Sequence, residues 1–297
     1  MNQNSIRVGI APINWSNDDL RELGGDISLE QCLAEMQAAG YTGTELGHKF
    51  PTVPERLKPL LGRYGLTLAS SWHSIHFARE VSLDDELAHL ENRLKFLSAM
   101  GTTVINLAEC SGTVHNVQDQ PLSARPVFTD REWDRVIKGM NLAGELCLSY
   151  RIHAAVHHHM GTGIQTGEEI DRLLSGTDPD KVFLCADTGH LQFAGEDPRT
   201  LVKKHQNRIA HIHLKDLRQT ALRRVWQEDS SFLAAVLAGV FTVPGDGMIN
   251  FAPILDLVAQ GSYEGWLVVE AEQDPSRANP LNYARLARTY LSTVANV

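Results

Sequence analysis

The sequence predicts an α/β fold, a (β/α)8 TIM barrel. Short β-rich apolar runs alternate along the chain with amphipathic stretches of helical period. Eight such strand–helix units follow in order, with no composition break or linker between them. A length of 297 residues is common for such barrels, so we expect residues 1–297 to form one domain. An open doubly wound sheet is the alternative, but no G-x-G-x-x-G motif follows the first strand to support dinucleotide binding.

The strands are predicted from short runs rich in β-branched and apolar residues, over 6–11, 43–47, 66–72, 103–109, 152–158, 181–187, 209–215 and 265–271. The helices are predicted from apolar residues at helical spacing, over 28–39, 53–64, 83–100, 131–150, 167–175, 197–206, 250–260 and 280–294. Ser28 is suited to cap the first helix, and Asp197 with Pro198 marks the start of the sixth. Gly40 and Gly101 stand where two helices should end.

The connection after the seventh strand is unusually long and covers about residues 215–249. It contains an apolar, helix-like part and the turn Pro244-Gly245-Asp246-Gly247. Long loops that follow barrel strands are usually lids or binding loops. We therefore expect this connection to overhang the barrel mouth or to contact another subunit.

Composition excludes several classes of protein. A net charge of −9 argues against nucleic-acid binding, because a phosphate backbone needs a basic surface. The four cysteines are scattered and form no C-x-x-C pair, as expected for reduced cytosolic thiols. The start of the chain lacks the pattern of a signal peptide, and no apolar run approaches the roughly 20 residues that span a bilayer. We expect a cytoplasmic protein with no membrane partner.

Histidines and acids recur at the ends of the later predicted strands. They form the segments Val156–His159, Asp187–His190, His211–His213 and Glu270–Glu272. Side chains at the carboxyl ends of barrel strands meet on one face, so these distant segments can share a pocket. Imidazole and carboxylate groups together are ligands that divalent metals take in proteins. The segments therefore predict a metalloenzyme.

Alternation along each strand predicts which of these residues point into the barrel. The inward positions nearest the mouth are His157 or His159, Asp187, His213 or Lys215, and Glu270 or Glu272. The set His157, Asp187, His213 and Glu270 offers two imidazoles and two carboxylates. That mixture suits Mn²⁺, Co²⁺, Fe²⁺ or Zn²⁺ better than Mg²⁺ or Ca²⁺, which prefer oxygen ligands.

Each of these residues also has a structural alternative. A buried histidine such as His153 or His211 is more often a hydrogen-bonded part of the core than a metal ligand. A buried carboxylate such as Glu45 or Glu109 is costly unless paired, and could be the partner of a lysine or arginine. The metal hypothesis depends on the convergence of the whole set on one rim and not on any single motif.

The chain resembles the inosose dehydratases of myo-inositol catabolism. The resemblance runs from about residue 6 to about residue 292 and is carried by APINWSNDD, GTELGHKFP, HHHMGTGIQTGEEIDRL, DTGHLQFAG, HIHLKD, FTVPGDGMINFAP and GWLVVEAEQDP. The DTGH motif is shared by many xylose-isomerase-like barrels. HHHMGTG together with VVEAEQDP is far more specific to the dehydratases.

The resemblance implies a xylose-isomerase-like TIM barrel that dehydrates 2-keto-myo-inositol to a trihydroxycyclohexane-1,2-dione. It implies Mn²⁺ or Co²⁺ as the metal and glutathione as a further cofactor. The wider superfamily holds its metal through a strand-five Glu and through residues that match Asp187, His213 and Glu270. This chain departs at strand five, where His157-His158-His159 stands in place of the usual Glu-Asn-His. The departure leaves the fourth ligand open, with His157 as the first candidate.

Elimination of water next to a ketone needs a base for the α-proton and an acid for the leaving hydroxyl. The candidate catalytic residues are Glu45, His190, Lys215 and Glu272, with base and acid unassigned among them. The residues expected to contact a small polyol-ketone substrate are Trp15, His159, His190 and Arg218.

Two other functions stay open at this point. One is a metal-dependent inosose or sugar isomerase or epimerase on the same barrel, which predicts the strand-five carboxylate that this chain lacks. The other is a nucleic-acid-directed relative, against which the acidic composition argues. A homo-oligomer is compatible with the sequence, which does not specify the number of subunits.

Overall fold

A computed structural model describes residues 6–295. The first residues of the chain, on which the signal-peptide prediction partly depends, lie outside the described residues. The strands are β1 Ile6–Ile10, β2 Gly43–Glu45, β3 Thr67–Ser70, β4 Trp72–Ile75, β5 Val104–Glu109, β6 His153–His157, β7 Val182–Asp187, β8 Ile209–Leu214, β9 Asp216–Leu217, β10 Phe241–Thr242 and β11 Gly265–Val269.

Nine of the described strands form a parallel sheet in the order β3-β2-β1-β11-β8-β7-β6-β5-β4. The third predicted strand is divided at Ser71. Its first half, β3, pairs with β2, and its second half, β4, pairs with β5. The two ends of the sheet therefore meet in one continuous stretch of chain, and the eight predicted strands close into the predicted barrel.

The helices are α1 Leu29–Ala38, α2 Pro54–Arg63, α3 Leu83–Met100, α4 Asp130–Ser149, α5 Gly167–Gly176, α6 Thr188–Phe193, α7 Pro198–His205, α8 Gln219–Gln227, α9 Phe232–Leu237, α10 Ala252–Gln260 and α11 Pro280–Ala295. Ser28 accepts a hydrogen bond from the backbone of Gln31 at the start of α1, as predicted. Asp197 caps α7 with Pro198 in its first turn, also as predicted. Gly101, with φ of 79°, ends α3 in the left-handed conformation that glycine adopts without strain.

The main core lies between the barrel and its ring of helices. Residues on the outer face of the strands pack there, among them Ile105, Ala154, Val156, Leu184 and Ile212. This placement confirms the predicted alternation on the fifth strand, because the neighbouring His157 is left to point inward. The packing of apolar residues on the outer face of each strand thus fixes the inward direction of the polar side chains at the carboxyl ends of the strands.

The long connection after β8 is more ordered than a loop. It contains β9, α8, α9 and β10, and its apolar residues form a second core that includes Phe232 and Phe241. Its apolar residues pack with Leu20, Met160 and Phe193, which follow β1, β6 and β7, so the connection covers part of the carboxyl end of the barrel. None of its residues lines the main cavity described below. The expected role as a lid or subunit contact stays a prediction.

A search of the described residues found no helix that is long and apolar enough to cross a membrane.

Candidate active site

A cavity of about 620 Å³ opens at the carboxyl ends of the barrel strands. Residues from the ends of β2, β6, β8 and β11 form its floor. The imidazole and carboxylate groups exposed there are Glu45, His157, His159, His213, Glu270 and Glu272. The later strands thus bring distant segments of the chain together, as the sequence predicted.

Three of the four predicted metal ligands, Asp187, His213 and Glu270, form one group at this floor with ligand atoms all within 4.8 Å of one another, and His157 lies beside it. His213 Nδ1 lies 3.0 Å from His157 Nε2, 3.0 Å from Glu270 Oε2 and 3.4 Å from Asp187 Oδ2. His157 Nε2 lies 3.7 Å from the same Asp187 oxygen. The two carboxylate oxygens of Asp187 face different groups. Its Oδ1 accepts the backbone N–H of His190 at the start of α6, so Oδ2 is left to face the other ligands.

Glu45 orients His213 from the opposite side of the ring. Its Oε1 lies 3.1 Å from His213 Nε2, 2.8 Å from His211 Nε2 and 3.1 Å from Asn106 Nδ2, and also accepts from Ser70 Oγ. A carboxylate only accepts, so both imidazoles donate from Nε2 and His213 turns Nδ1 toward the metal ligands. Burial opposes ionisation of Glu45, but the charge of His213 and the hydrogen bonds from both histidines hold its pKa well below the usual range.

Lys215 is fully buried among three carboxylates. Its Nζ lies 2.6 Å from Glu270 Oε1, 2.9 Å from Glu272 Oε2 and 3.3 Å from Asp187 Oδ2. Burial opposes the charged form, but these three anions outweigh it and raise the pKa of Lys215 above its usual range. Gly189 makes room for the lysine, since an added Cβ there would stand 2.5 Å from its Cγ. Lys215 is therefore a permanent ammonium.

His159 and His190 stack at the edge of this group, with ring centroids 3.9 Å apart. His159 Nδ1 lies 2.8 Å from the carbonyl of Met160, so it carries the proton and Nε2 carries a lone pair. His190 Nε2 lies 3.0 Å from Lys215 Nζ and accepts from it, because an ammonium only donates. Burial, together with nearby positive charge, lowers the pKa of both imidazoles well below the usual range.

The predicted catalytic and substrate-binding residues fall into two groups. Glu45, His159 and Glu272 reach the cavity. His190 and Lys215 do not line it, and both are fully buried behind its wall. Direct contact of either residue with substrate, as predicted, is not seen in this placement. Lys215 donates a hydrogen bond to His190 and forms an ion pair with Glu272, so both residues support the groups that line the cavity.

Trp15 and Arg218 are not substrate-binding residues in this structure. Trp15 belongs to the main core, and its Nε1 donates to Glu35 Oε2 over 2.6 Å. Arg218 lies in the long connection and braces it, with Nη2 2.8 Å from Asp246 Oδ2 and Nη1 2.9 Å from the carbonyl of Gly239. Neither residue lines the cavity. Trp15 is placed by its burial in the apolar core, and Arg218 is placed by its hydrogen bonds within the long connection.

The cavity contains residues that the sequence did not reveal, among them Trp72, Arg79, Arg93 and His115. His115 Nδ1 lies 2.6 Å from Thr113 Oγ1, whose own proton goes to the carbonyl of Gly161. His115 therefore donates from Nδ1 and keeps a lone pair on Nε2. Burial, with the charge of His159 adding, lowers the pKa of His115 to about 3, so the ring is neutral at pH 7.

The donor set fits a divalent metal ion. Donors held at about 2.1 Å from one ion stand roughly 3.0–3.4 Å apart in octahedral or tetrahedral arrangements, close to the spacings around His213 Nδ1. Asp187 Oδ2 accepts no hydrogen bond among the described residues, although Lys215 lies close to it. The carboxylate of Glu45 behind His213 is the kind of partner that fixes a ligating imidazole. A mixed nitrogen and oxygen set suits Mn²⁺, Co²⁺, Fe²⁺ or Zn²⁺.

Solved structures share this architecture at low sequence identity. A structure described as IolI protein with a bound zinc atom aligns with a TM-score of 0.70 at 12% identity, covering 98% of each chain. An L-ribulose 3-epimerase aligns with a TM-score of 0.69 at 16% identity, covering 98% of this chain and 95% of the epimerase. These similarities establish the fold and do not distinguish between reactions.

Sequence relatives are much closer. The family model for xylose isomerase-like TIM barrels matches residues 33–293. An inosose dehydratase from Geobacillus thermodenitrificans is 48% identical over 290 residues, covering 97% of each chain. An inosose dehydratase from Clostridium tetani is 45% identical over 297 residues, covering 100% of this chain and 99% of the relative. The chain therefore belongs to the inosose dehydratases, within the xylose isomerase-like TIM barrel family.

Proposed function

We propose that the protein is a metal-dependent hydro-lyase that dehydrates 2-keto-myo-inositol (scyllo-inosose) to 3,5/4-trihydroxycyclohexane-1,2-dione. The observation that carries the metal-dependent part is the group formed by Asp187, His213 and Glu270 at the cavity floor, with His157 Nε2 3.0 Å from His213 Nδ1. The near-complete alignment with inosose dehydratases supports the choice of substrate.

His157 Nε2, His213 Nδ1, Asp187 Oδ2 and Glu270 Oε2 would hold the metal. A bound divalent ion supplies a Lewis acid that polarises the substrate ketone and makes the α-proton more acidic. Glu45 keeps His213 in the tautomer that offers Nδ1. Lys215 neutralises part of the negative charge of Asp187, Glu270 and Glu272 without itself reaching the cavity.

We assign proton transfer to His159 and Glu272. His159 donates its Nδ1 proton to the carbonyl of Met160 and so keeps a lone pair on Nε2, which is the proposed acceptor of the α-proton. Glu272 Oε1 lies 3.8 Å from this nitrogen. The electron pair of the broken C–H bond then forms the enolate, the β C–O bond breaks, and the leaving hydroxyl departs as water after taking a proton. Glu272, beside His159, is placed to transfer that proton from His159 to the leaving hydroxyl.

Mn²⁺ and Co²⁺ are the metals that we propose. Glutathione is the proposed further cofactor, and the cavity volume of about 620 Å³ is sufficient for a tripeptide. The four cysteines are free and buried, and burial raises the pKa of the Cys110 thiol to about 12. None is suited to thiol exchange, so glutathione would act as a bound ligand. Assays with glutathione and with S-methylglutathione separate a binding role from a thiol role.

The free thiols fit a reducing compartment, and we propose that the protein acts in the cytoplasm. The proposed partner is the small polyol-ketone substrate. The acidic composition supports neither nucleic acid nor an anionic membrane as a partner. Assembly into a homo-oligomer is a further proposal, which light scattering of the purified protein tests.

Turnover in D₂O distinguishes this proposal from an isomerase or epimerase. The metal-loaded protein is incubated with 2-keto-myo-inositol, and products are followed by NMR and by diketone absorbance. We expect diketone as the main product, with no accumulation of an epimeric inosose. A His159→Gln variant should lose most of this activity while keeping its metal. An epimer as the main product, without diketone, would overturn the proposal.

A further inference from the structure

Three arginines line the active-site cavity, Arg21, Arg79 and Arg93, and the last two come from one segment of the chain. Arg79 lies between β4 and α3, and Arg93 lies on α3. Within residues 6–295, no carboxylate comes within ion-pair distance of either guanidinium, and neither donates a hydrogen bond from its side chain. The nearest acids of this segment are engaged elsewhere. Glu80, for example, pairs with Arg131.

An unpaired guanidinium that is partly withdrawn from water is costly. Arg93 is half-buried, and burial lowers its pKa with no nearby carboxylate to oppose the effect, whereas Arg79 is exposed. An anion bound to Arg93 would offset the cost of its partial burial.

The surroundings of the two arginines are themselves positive or neutral. Burial, followed by the charges of Arg93, His89 and His76, lowers the pKa of His73 to about 4. Among the acids of this segment, Glu86 is engaged by His76, whose backbone nitrogen lies 3.0 Å and whose Nδ1 lies 3.5 Å from Glu86 Oε2. Asp18 and Asp19 also line the cavity. The part of the cavity that carries Arg79 and Arg93 is therefore richer in cationic and imidazole groups than the carboxylate-rich floor.

A neutral polyol ketone carries no charged group that would form an ion pair with either guanidinium. The cavity of about 620 Å³ is also much larger than a single polyol ring requires. We propose that Arg79 and Arg93 form an anion-binding subsite, which takes the carboxylate or phosphate group of a small molecule in the outer part of the cavity. Guanidinium groups recognise both anions by paired, charge-assisted hydrogen bonds.

Calorimetric titration of the full-length protein with inorganic phosphate, and separately with succinate, tests this proposal and distinguishes the two anion classes. We expect saturable binding of at least one probe, at about one site per chain. Arg93→Gln and Arg79→Gln should each weaken it by about tenfold or more, which is the effect of losing a charged hydrogen bond. Arg63→Gln, at an exposed position on α2 outside the cavity, is the matched control and should bind normally.

Two further measurements keep the result interpretable. Asp187→Ala removes a proposed metal ligand and should still bind the anion, so loss of binding there would place the anion on the metal and overturn the subsite. Thermal unfolding shows whether a variant loses anion binding because it lacks the arginine or because its fold is damaged. Arg93→Gln should unfold at the same temperature as the parent or higher, and should lose the rise that phosphate or succinate gives the parent. Absence of saturable binding by both probes, or equal binding by the double variant, would also refute the proposal.

Discussion

His213 donates a hydrogen bond from Nε2 to Oε1 of Glu45 across 3.1 Å, and this contact sets which ring nitrogen faces the other metal ligands. Because Glu45 also accepts from His211, it holds two imidazoles with one oxygen. The carboxylate thus acts through His213 and not on the substrate. This relationship moves Glu45 from the predicted catalytic set to a positioning role.

Replacement of Glu45 tests that role. Glu45→Ala removes the acceptor behind His213, and we expect metal affinity to fall by about 10- to 100-fold, as for other partners of ligating histidines. Glu45→Gln keeps an acceptor oxygen and should recover part of the loss. Metal dissociation constants from competition with a chelator provide the measurement. Equal affinity in parent and Glu45→Ala would contradict the positioning role.

Removal of a direct ligand should have a larger effect. We expect about one metal ion per chain in the parent after dialysis, and little in Asp187→Ala or Glu270→Ala, because each loses a carboxylate of the proposed set. Elemental analysis gives the occupancy. Asp256→Ala, at an exposed position on α10, is the control and should keep its metal. Full occupancy in both ligand variants would refute the assignment.

His115 is expected to accept a hydrogen bond from a substrate hydroxyl. Its Nδ1 is committed to Thr113, so Nε2 is the free acceptor on the cavity wall. His115→Phe keeps a ring but removes the acceptor, and kcat/KM should fall by about tenfold, mainly through KM. His153→Phe, at the exposed opposite end of β6, is the control. Unchanged KM in His115→Phe would exclude the contact.

Glu109 should make stability depend on pH. Burial raises its pKa to about 7 from the ordinary value of 4.5, so between these pH values the folded state holds a proton that the unfolded state releases. Its contribution to stability is fully present below pH 4.5 and is lost as pH rises through 7, a change of about 3 kcal/mol. Glu109→Gln removes this component. Urea unfolding from pH 5 to 8 should show the variant gaining stability relative to the parent, whereas parallel profiles would contradict the prediction.

The 215–249 connection should be required for activity because it supports the site from the side. The Phe232 ring lies 4.8 Å from the His159 ring and 5.9 Å from the His190 ring. Deletion of residues 220–240 removes this ring, and we expect loss of turnover or altered assembly. Phe232→Ala should cost about 3–5 kcal/mol of stability, and Phe232→Leu much less. Normal turnover by a folded deletion variant would show that the connection is dispensable.

The barrel and the inward position of the proposed metal ligands were predictable because both follow from periodicity. An apolar residue such as Val156 must face the helices, so its neighbour His157 must face the barrel, whatever the rest of the chain does. The depth of a side chain beyond the strand end does not follow from periodicity. Lys215 has the right inward phase, but three carboxylates hold it below the cavity floor.

Residues on loops were predicted poorly, for a related reason. Trp15 and Arg218 have the chemistry of substrate contacts, and only tertiary packing shows that one faces the core and the other braces its own loop. His115 and Arg93 have no periodic signal that marks them as cavity residues. The short helix α6 was missed because Asp187 serves both as its N-cap and as the last residue of β7.

The buried ammonium of Lys215 has a consequence for the order in which the protein matures. Without it, Asp187, Glu270 and Glu272 would repel one another until a metal arrived, and the barrel end could close only around the ion. With an internal counter-ion in place, we expect the polypeptide to complete its fold before any metal binds. Loss or exchange of a bound ion should then leave the barrel folded.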